Sequence, residues 1–255
     1  MASREKEPPI RLDHLALFLD FDGTLVEIAP TPDSVVVDPQ LPPLLSALRD
    51  RLGGALAVVT GRPVAEVDHF LPGLGLDVCG MHGLERRIDG RLFLPEGLAD
   101  LREPVARLRE RLSPFPGLIV EEKGIGVAVH WRTAPEFEQE ARAAVDDLAA
   151  ELGPTYKIQD GKAVREIVPG RAGKGDGIRQ LMTSPPYLGR RPVFIGDDKT
   201  DEHGFAAVDE LGGVTIKIGE GETLARYRLA SPASLRPAMA GWLEAGLETD
   251  ALRDA

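Results

Sequence analysis

The sequence has one cysteine, no long apolar run and fewer basic than acidic residues. Because Cys79 has no second cysteine to pair with, an intrachain disulfide is excluded and a reducing compartment is expected. No apolar run approaches the roughly 18 residues of a membrane-spanning helix. The first 13 residues also lack the apolar segment of a signal peptide. We therefore expect a cytoplasmic protein that does not bind a membrane.

The charge balance excludes further classes of partner. Thirty basic and 41 acidic residues give a net charge of −11, which disfavours binding to nucleic acids and anionic membranes. An anionic substrate stays possible, because a metal ion and a few local cations can dominate a site. With 255 residues, 43% of them hydrophobic and 28% charged, the chain can form one large domain or two smaller ones.

The order of apolar segments predicts an α/β protein. Short apolar runs at 15–21, 55–60 and 76–81 are typical of buried strands, and the segments 40–51 and 64–70 have helical spacing. This βαβαβ order predicts a parallel sheet with right-handed crossovers. The same alternation returns after residue 169, with strands predicted at 193–197 and 214–218.

The middle of the chain has a different pattern, which predicts a second domain. Asp89-Gly90 and Asp160-Gly161 each lie within alternating segments and predict hairpins, while 96–112 and 135–152 have helical spacing. We therefore predict a Rossmann-like, doubly wound parallel-sheet core formed by residues 10–96 and 170–250. An α+β cap domain, residues 97–169, is inserted into it.

Two aspartates at the end of the first predicted strand are the most informative local feature. Asp20 and Asp22 follow five apolar residues and point to the same face. Buried carboxylates are costly unless they are paired or bind a metal, and the carboxyl end of a strand is where open α/β sheets bind ligands. The pair suits a hard cation such as Mg²⁺. The alternative is an ordinary Asp-Gly turn after a strand.

Three further polar motifs follow strands or begin helices. Thr60-Gly61-Arg62 could hold phosphate oxygens or simply cap a helix. Lys174 begins a helix, the unfavourable end for a cation, so a bound anion or nearby carboxylates would explain it better than solvent. The acidic segment 196–202 follows an apolar strand and could bind a cation. Helix capping would explain Asp201 and Glu202 but not Asp197.

The four motifs in this order, D-x-D-G-T, T-G-R, a lysine at a helix start and G-D-D-x-x-D, resemble the haloacid-dehalogenase-like phosphohydrolases. Further stretches are similar to the trehalose-6-phosphate phosphatase family within that superfamily. They are Gly80-Met81-His82-Gly83-Leu84-Glu85, Glu121-Glu122-Lys123-Gly124, His130-Trp131-Arg132 and Val164-Arg165-Glu166-Ile167. The departures are Trp131, where the family commonly has Tyr, and Lys199 inside the acidic motif, which we expect to point to solvent.

The resemblance implies a role for each matching residue. Asp20 would be the nucleophile and Asp22 the general acid/base, with Thr60 and Lys174 binding the phosphoryl group and Asp201 orienting Lys174. Mg²⁺ would be held by Asp20, the carbonyl of Asp22 and Asp197, with Asp198 nearby. The sugar of trehalose 6-phosphate would contact side chains from both domains: Arg62, His82, Glu121, Lys123, Arg132 and Glu166. The resemblance also implies a functional link to a trehalose-6-phosphate synthase.

Other interpretations stay open on the residues alone. The charges of the cap could be ordinary cross-strand pairs on an exposed sheet. The enzyme could act on another sugar phosphate, such as sucrose phosphate or mannosyl-phosphoglycerate, although the H-G-L-E and H-W-R stretches argue against it. A phosphomutase is compatible with the fold. A non-catalytic sugar-phosphate sensor would be expected to lack Asp20 or Asp22, and both are present.

Overall fold

The computed structural model describes residues 9–29, 31–94, 98–122, 125–161, 163–170, 173–249 and 252–254. Backbone contacts divide the chain into two units, Met1–Leu94 with Gly173–Ala255, and Pro95–Ala172. We call them the large unit and the small unit. Each has its own hydrophobic core.

The described residues form the following elements in chain order. The strands are β1 (Leu15–Leu19), β2 (Leu56–Val59), β3 (Asp77–Gly80), β4 (Glu85–Ile88), β5 (Arg91–Phe93), β6 (Ile119–Glu122), β7 (Val127–His130), β8 (Tyr156–Gly161), β9 (Val164–Pro169), β10 (Arg191–Gly196), β11 (Val214–Ile218), β12 (Tyr227–Leu229) and β13 (Arg253–Asp254). The α-helices are α1 (Leu41–Arg51), α2 (Val64–Phe70), α3 (Arg102–Leu112), α4 (Glu138–Leu152), α5 (Lys174–Leu181), α6 (Glu202–Glu210) and α7 (Pro232–Ala245).

The large unit is built on one mixed sheet with a parallel centre. Its strand order is β13-β12-β11-β10-β1-β2-β3-β4-β5, and the strands from β12 to β3 run parallel. The predicted hairpin around Asp89-Gly90 extends this sheet as the antiparallel strands β4 and β5. The α/β class and the Rossmann-like core are confirmed.

The register of the central strands places three polar segments at one edge. Leu19, the last residue of β1, pairs with Ile195 of β10 on one side and with Val58 of β2 on the other. All residues of β1 and β2 are buried, because apolar side chains cover both faces of the sheet. Asp20, Thr60 and Asp197 therefore follow three neighbouring parallel strands at their shared carboxyl edge.

The small unit is a four-stranded antiparallel sheet with helices α3 and α4 packed against it. The strand order is β6-β7-β9-β8. Val127, Val129 and Ile167 face the helices and are fully or almost fully buried. Alternate residues such as Ala128 and Glu166 point to the opposite face of the sheet.

Two predicted boundaries in the small unit are wrong. The helix predicted over 96–112 begins at Arg102. A proline fits best in the first turn of a helix and is costly in its interior, so Pro104 favours a start close to it. In the β8–β9 hairpin, Asp160 and Gly161 still pair with β9, so strand β8 continues through the predicted Asp160-Gly161 turn.

None of the helices in the described residues is long and apolar enough to cross a lipid bilayer.

Candidate active site

A buried lysine joins two buried aspartates at the carboxyl edge of the large sheet. The Nζ atom of Lys174, the first residue of α5, lies 2.8 Å from Oδ1 of Asp20 and 2.8 Å from Oδ1 of Asp201. Burial opposes the charge on Lys174, but the two carboxylates outweigh it and raise the pKa of its ammonium group. The unfavourable position of a cation at a helix start is thus explained by neighbouring carboxylates.

Asp201 also holds the loop that follows β10. Its Oδ2 atom accepts hydrogen bonds from the backbone N–H groups of Asp197, at 2.9 Å, and Asp198, at 3.0 Å. The alternative that this side chain caps helix α6 is not observed, since its oxygens face the loop and Lys174 instead. Asp201 therefore fixes the lysine and the acidic loop in one arrangement.

The two aspartates of this loop have different surroundings. Asp197 is half-buried, and Thr24 donates a 3.3 Å hydrogen bond to its Oδ1 atom. Asp198 is exposed, and its Oδ1 atom accepts hydrogen bonds from the backbone and the hydroxyl of Thr200. The carboxylate of Asp197 therefore lies close to that of Asp20, whereas Asp198 stabilises the turn that leads into α6. Lys199 points to solvent, as expected.

Three carboxylates of this edge could hold a metal ion. Asp20, Asp197 and Asp201 each place one oxygen within 4.8 Å of the others. Burial raises the pKa of Asp20 to about 7, that of Asp197 to about 6 and that of Asp201 to about 8, and repulsion between the carboxylates adds to each shift. This excess of negative charge is the environment that a hard divalent cation neutralises.

Asp22 is held by an arginine. The guanidinium of Arg62 donates to both Asp22 oxygens, at 2.6 and 2.8 Å, and to Glu66 at 2.8 Å. Its central carbon lies 5.6 Å from the ring centre of Phe21 and 4.9 Å from that of Phe70. Arg62 is buried, and the bidentate pair fixes the orientation of the Asp22 carboxylate.

Thr60 lies at the end of β2 and is fully buried. Its hydroxyl accepts a 3.2 Å hydrogen bond from the backbone N–H of Arg62. It is not the N-cap of α2, because that helix begins at Val64 with Pro63 as its N-cap. The N–H of Val64 is instead bound by the carboxylate of Glu85, at 2.7 Å. This gives the glutamate of the H-G-L-E stretch a structural role.

His82 belongs to a segment with unusual backbone geometry. Met81, His82 and Gly83 have φ values of 48°, 56° and 99°. The ring of His82 lies against Gly61, where an added Cβ would be 2.8 Å from Nε2. At Gly83 an added Cβ would lie 2.8 Å from the carbonyl of Gly173, so only glycine allows this segment to pack against the start of α5.

The candidate sugar-binding residues of the small unit lie on and beside its sheet. Glu121 of β6 and Glu166 of β9 are both in register with Ala128, so they share one face, about 10 Å apart at the usual strand spacing. Glu121 lies 2.8 Å from Nε2 of His130. Arg132 is exposed in the turn that follows β7. Lys123 lies outside the described residues.

Lys217 is a charged residue of the site that the sequence analysis did not predict. Lys217 lies in the buried strand β11, and its ammonium group donates to the backbone carbonyl of Asp197. The signal was available in the sequence, because a lysine inside the apolar run of Val214–Ile218 has no solvent-exposed face to occupy.

Comparison with known proteins assigns the family. The family model described as trehalose-phosphatase matches residues 18–233. The trehalose-6-phosphate phosphatase of Escherichia coli K12 is 40% identical over 233 residues, which cover 90% of this chain and 85% of that protein. The crystal structure of a trehalose-6-phosphate phosphatase related protein superposes with a TM-score of 0.73 at 31% identity, covering 90% of this chain and 96% of the other.

A more distant structure supports the fold alone. A haloacid dehalogenase-like hydrolase from Bacteroides thetaiotaomicron is 14% identical and has a TM-score of 0.63, covering 89% of this chain and 98% of that one.

Proposed function

The chain belongs to the trehalose-phosphatase family, and from this premise we propose that it hydrolyses trehalose 6-phosphate to trehalose and phosphate in trehalose biosynthesis. The observation that carries the proposal is the buried arrangement of Asp20, Lys174 and Asp201 at the carboxyl edge of the sheet. A functional link to a trehalose-6-phosphate synthase is part of the proposal, since such an enzyme would supply the substrate. The free, buried Cys79 fits the proposed cytoplasmic location.

The proposed reaction has two steps. A carboxylate oxygen of Asp20 attacks phosphorus and the bond to the sugar oxygen breaks, while Asp22 donates a proton to that oxygen and trehalose leaves. Asp22 then takes a proton from water, whose oxygen attacks the aspartyl phosphate. The bond between phosphorus and the Asp20 oxygen breaks, which releases phosphate and regenerates the free carboxylate.

The neighbouring side chains orient these groups. Lys174 holds one oxygen of Asp20 and supplies positive charge where the phosphoryl oxygens gather negative charge. Thr60 would bind a phosphoryl oxygen from the adjacent strand end. Arg62 keeps Asp22 in one orientation, which makes it a positioning residue as well as a candidate substrate contact.

The donor set fits Mg²⁺. Asp20 and Asp197 offer carboxylate oxygens in a cluster whose negative charge is only partly balanced by Lys174. We propose that they hold the ion together with the Asp22 carbonyl, with Asp198 nearby and Asp201 organising the loop. When bound, Mg²⁺ would neutralise charge on the phosphoryl group and align it with Asp20.

We propose that the small unit acts as the cap, with residues 97–169 as its predicted extent. Glu121 and Glu166 place two carboxylates on the sheet face opposite the helices, and Arg132, exposed in the turn after β7, would add a cation. A disaccharide with many hydroxyl groups needs several such polar contacts. Lys123, Arg62 and His82 complete the proposed set of sugar contacts.

A substrate panel tests this function. Phosphate release would be measured with trehalose 6-phosphate, sucrose 6-phosphate, mannosyl-phosphoglycerate, glucose 6-phosphate and p-nitrophenyl phosphate, with Asp20→Asn as a control for contaminating phosphatases. We expect the highest kcat/KM for trehalose 6-phosphate. A higher value for another sugar phosphate would contradict the assignment. Formation of an isomeric sugar phosphate without phosphate release would indicate a mutase.

A further inference from the structure

The large unit buries a second lysine that the proposed reaction does not use. Lys217 is 5% exposed and lies in β11, where all five residues are buried. A buried ammonium group is costly unless it has a polar partner, so its position needs a reason. The hydrogen bond from its ammonium to the backbone carbonyl of Asp197 supplies that partner.

The register explains how this contact forms. Lys217 pairs with Gly196, the residue directly before Asp197. An added Cβ at Gly196 would lie 2.3 Å from the carboxyl carbon of Asp201, so the backbone there is packed closely against that side chain. Asp197 is consequently held from two directions. Asp201 accepts from its N–H group and Lys217 donates to its carbonyl.

We propose that Lys217 is a positioning residue that orients Asp197 for metal binding by holding its backbone carbonyl. This inference rests on the proposed function, in which Asp197 is a ligand of Mg²⁺. Lys217 completes a polar chain that runs through Asp197 and Asp201 to Lys174 and Asp20. Groups that orient a metal ligand in this way often change metal affinity 10- to 100-fold when they are removed.

The sign of the effect separates positioning from simple electrostatics. The ammonium of Lys217 repels a nearby cation, so its charge alone predicts tighter Mg²⁺ binding once the lysine is replaced. Loss of the hydrogen bond from Lys217 to the Asp197 carbonyl predicts weaker Mg²⁺ binding instead. Lys217→Met removes the charge and the donor at similar volume. Lys199→Met removes an exposed lysine from the loop that contains Asp197, and it serves as the matched control.

Two measurements on the full chain decide the proposal. The first is amide hydrogen exchange of Asp197 and Asp198 in the metal-free protein, because both N–H groups donate to Asp201 and report on the loop. The second is the dissociation constant of Mg²⁺ measured by calorimetry. For Lys217→Met we expect exchange at least about tenfold faster and Mg²⁺ binding about 10- to 100-fold weaker. Lys199→Met should match the wild type in both.

Unchanged exchange, or equal or tighter Mg²⁺ binding in a folded Lys217→Met protein, would overturn the inference. If the wild type itself does not bind Mg²⁺, the metal assignment of the proposed function fails, and the exchange comparison alone decides whether Lys217 holds the loop. Lys217→Arg keeps a cationic donor and should retain both properties within about threefold of the wild type. If Lys217→Met does not fold, Lys217→Arg decides the proposal alone: a folded arginine variant with exchange or Mg²⁺ binding impaired about tenfold or more relative to the wild type contradicts the role.

Discussion

Lys174 is shared by two buried carboxylates, so each side chain of this group depends on the others. Burial raises the pKa of both carboxyl groups, the ammonium group opposes that rise, and repulsion from a neighbouring carboxylate adds to it. The metal-free site is therefore electrostatically unfavourable at neutral pH. This arrangement suits the binding of a cation and the action of a nucleophile, and it lowers the stability of the metal-free fold.

Replacement of the nucleophile should separate activity from stability. We expect Asp20→Asn to lower kcat by a factor on the order of 10⁴ or more, because asparagine cannot form the aspartyl phosphate. The folded protein binds a proton at Asp20 more tightly than the unfolded chain does, so ionisation from about pH 4 to pH 7 costs stability. The metal-free variant at pH 8 should thus be at least as stable as the wild type.

Steady-state kinetics and urea unfolding would measure the two effects, with Asp50→Asn as an exposed control. Substantial phosphate release by a folded Asp20→Asn protein would exclude the covalent mechanism.

The sequence indicates which charged residues gather at the carboxyl edge better than it indicates their partners. The Asp20 and Lys174 motifs stand out because buried charges at strand ends and helix starts are unusual. The bidentate pair of Arg62 with Asp22 and the contact of Lys217 with Asp197 could not be predicted, because they depend on side-chain directions across neighbouring elements. Spacing along one chain segment does not contain that information.

At the level of elements, Gly23 determines how closely the loop after β1 approaches the loop after β10. Gly23 has a φ of 76°, and an added Cβ would lie 2.1 Å from Oδ2 of Asp197. Gly73 has nearly the same φ, 75°, but an added Cβ would have no atom within 4 Å. The two positions therefore have the same backbone requirement and differ in the contact with Asp197.

Alanine at these two glycines should give different results. Gly73→Ala should cost about 1 kcal/mol of stability from the positive φ alone, with unchanged activity. Gly23→Ala should cost more and also displace Asp197, lowering kcat/KM about tenfold or more and weakening Mg²⁺ binding. Urea unfolding, kinetics and calorimetry on both variants would check this. Equal behaviour of the two would mean that the Asp197 contact has no functional role.

Element prediction from sequence succeeded where a strand is a continuous apolar run and failed where that signal is missing or a turn signal misled. The strands β1, β2, β10 and β11 are apolar runs and were placed within one or two residues at each end. Strand β12 has three residues, too few for a periodic signal, and it forms only because β11 offers a parallel edge to pair with. The β8–β9 turn was misplaced because pairing across the sheet overrode the Asp-Gly signal.

The face of the small sheet that carries Glu121 and Glu166 should determine the choice of substrate. Glu166→Ala and Arg132→Ala should lower kcat/KM for trehalose 6-phosphate at least about tenfold more than for p-nitrophenyl phosphate, because only the disaccharide offers hydroxyl groups to these side chains. Glu122→Ala is the matched control, since its side chain alternates with that of Glu121 and points to the other face. Equal losses on both substrates would favour ordinary charge pairs that support the fold.

For the whole molecule, the two units with separate cores set the expectation for unfolding. The sequence predicted the inserted segment from its change of pattern, but not how stable each part is alone, because that depends on buried area rather than on periodicity. Two cores allow two thermal transitions. The candidate metal ligands Asp20 and Asp197 both belong to the large unit, so metal binding should stabilise only the transition of that unit.

Mg²⁺ should therefore raise one melting transition and be required for turnover. At a concentration about 100-fold above its dissociation constant, an ion bound only by the folded state adds about 2.7 kcal/mol, which corresponds to an increase in Tm of about 5–10 °C for a unit of this size. Calorimetry with Mg²⁺ and with a chelator would measure the shift, and phosphate release under the same conditions would measure activity.

Asp197→Asn should remove most of the shift, whereas Asp147→Asn, an exposed change in the small unit, should keep it. If the chelated protein turns over at the full rate, or if Asp197→Asn retains the whole shift, the ion is not bound at this edge of the sheet, because Asp197 is one of the two carboxylates proposed to hold it there.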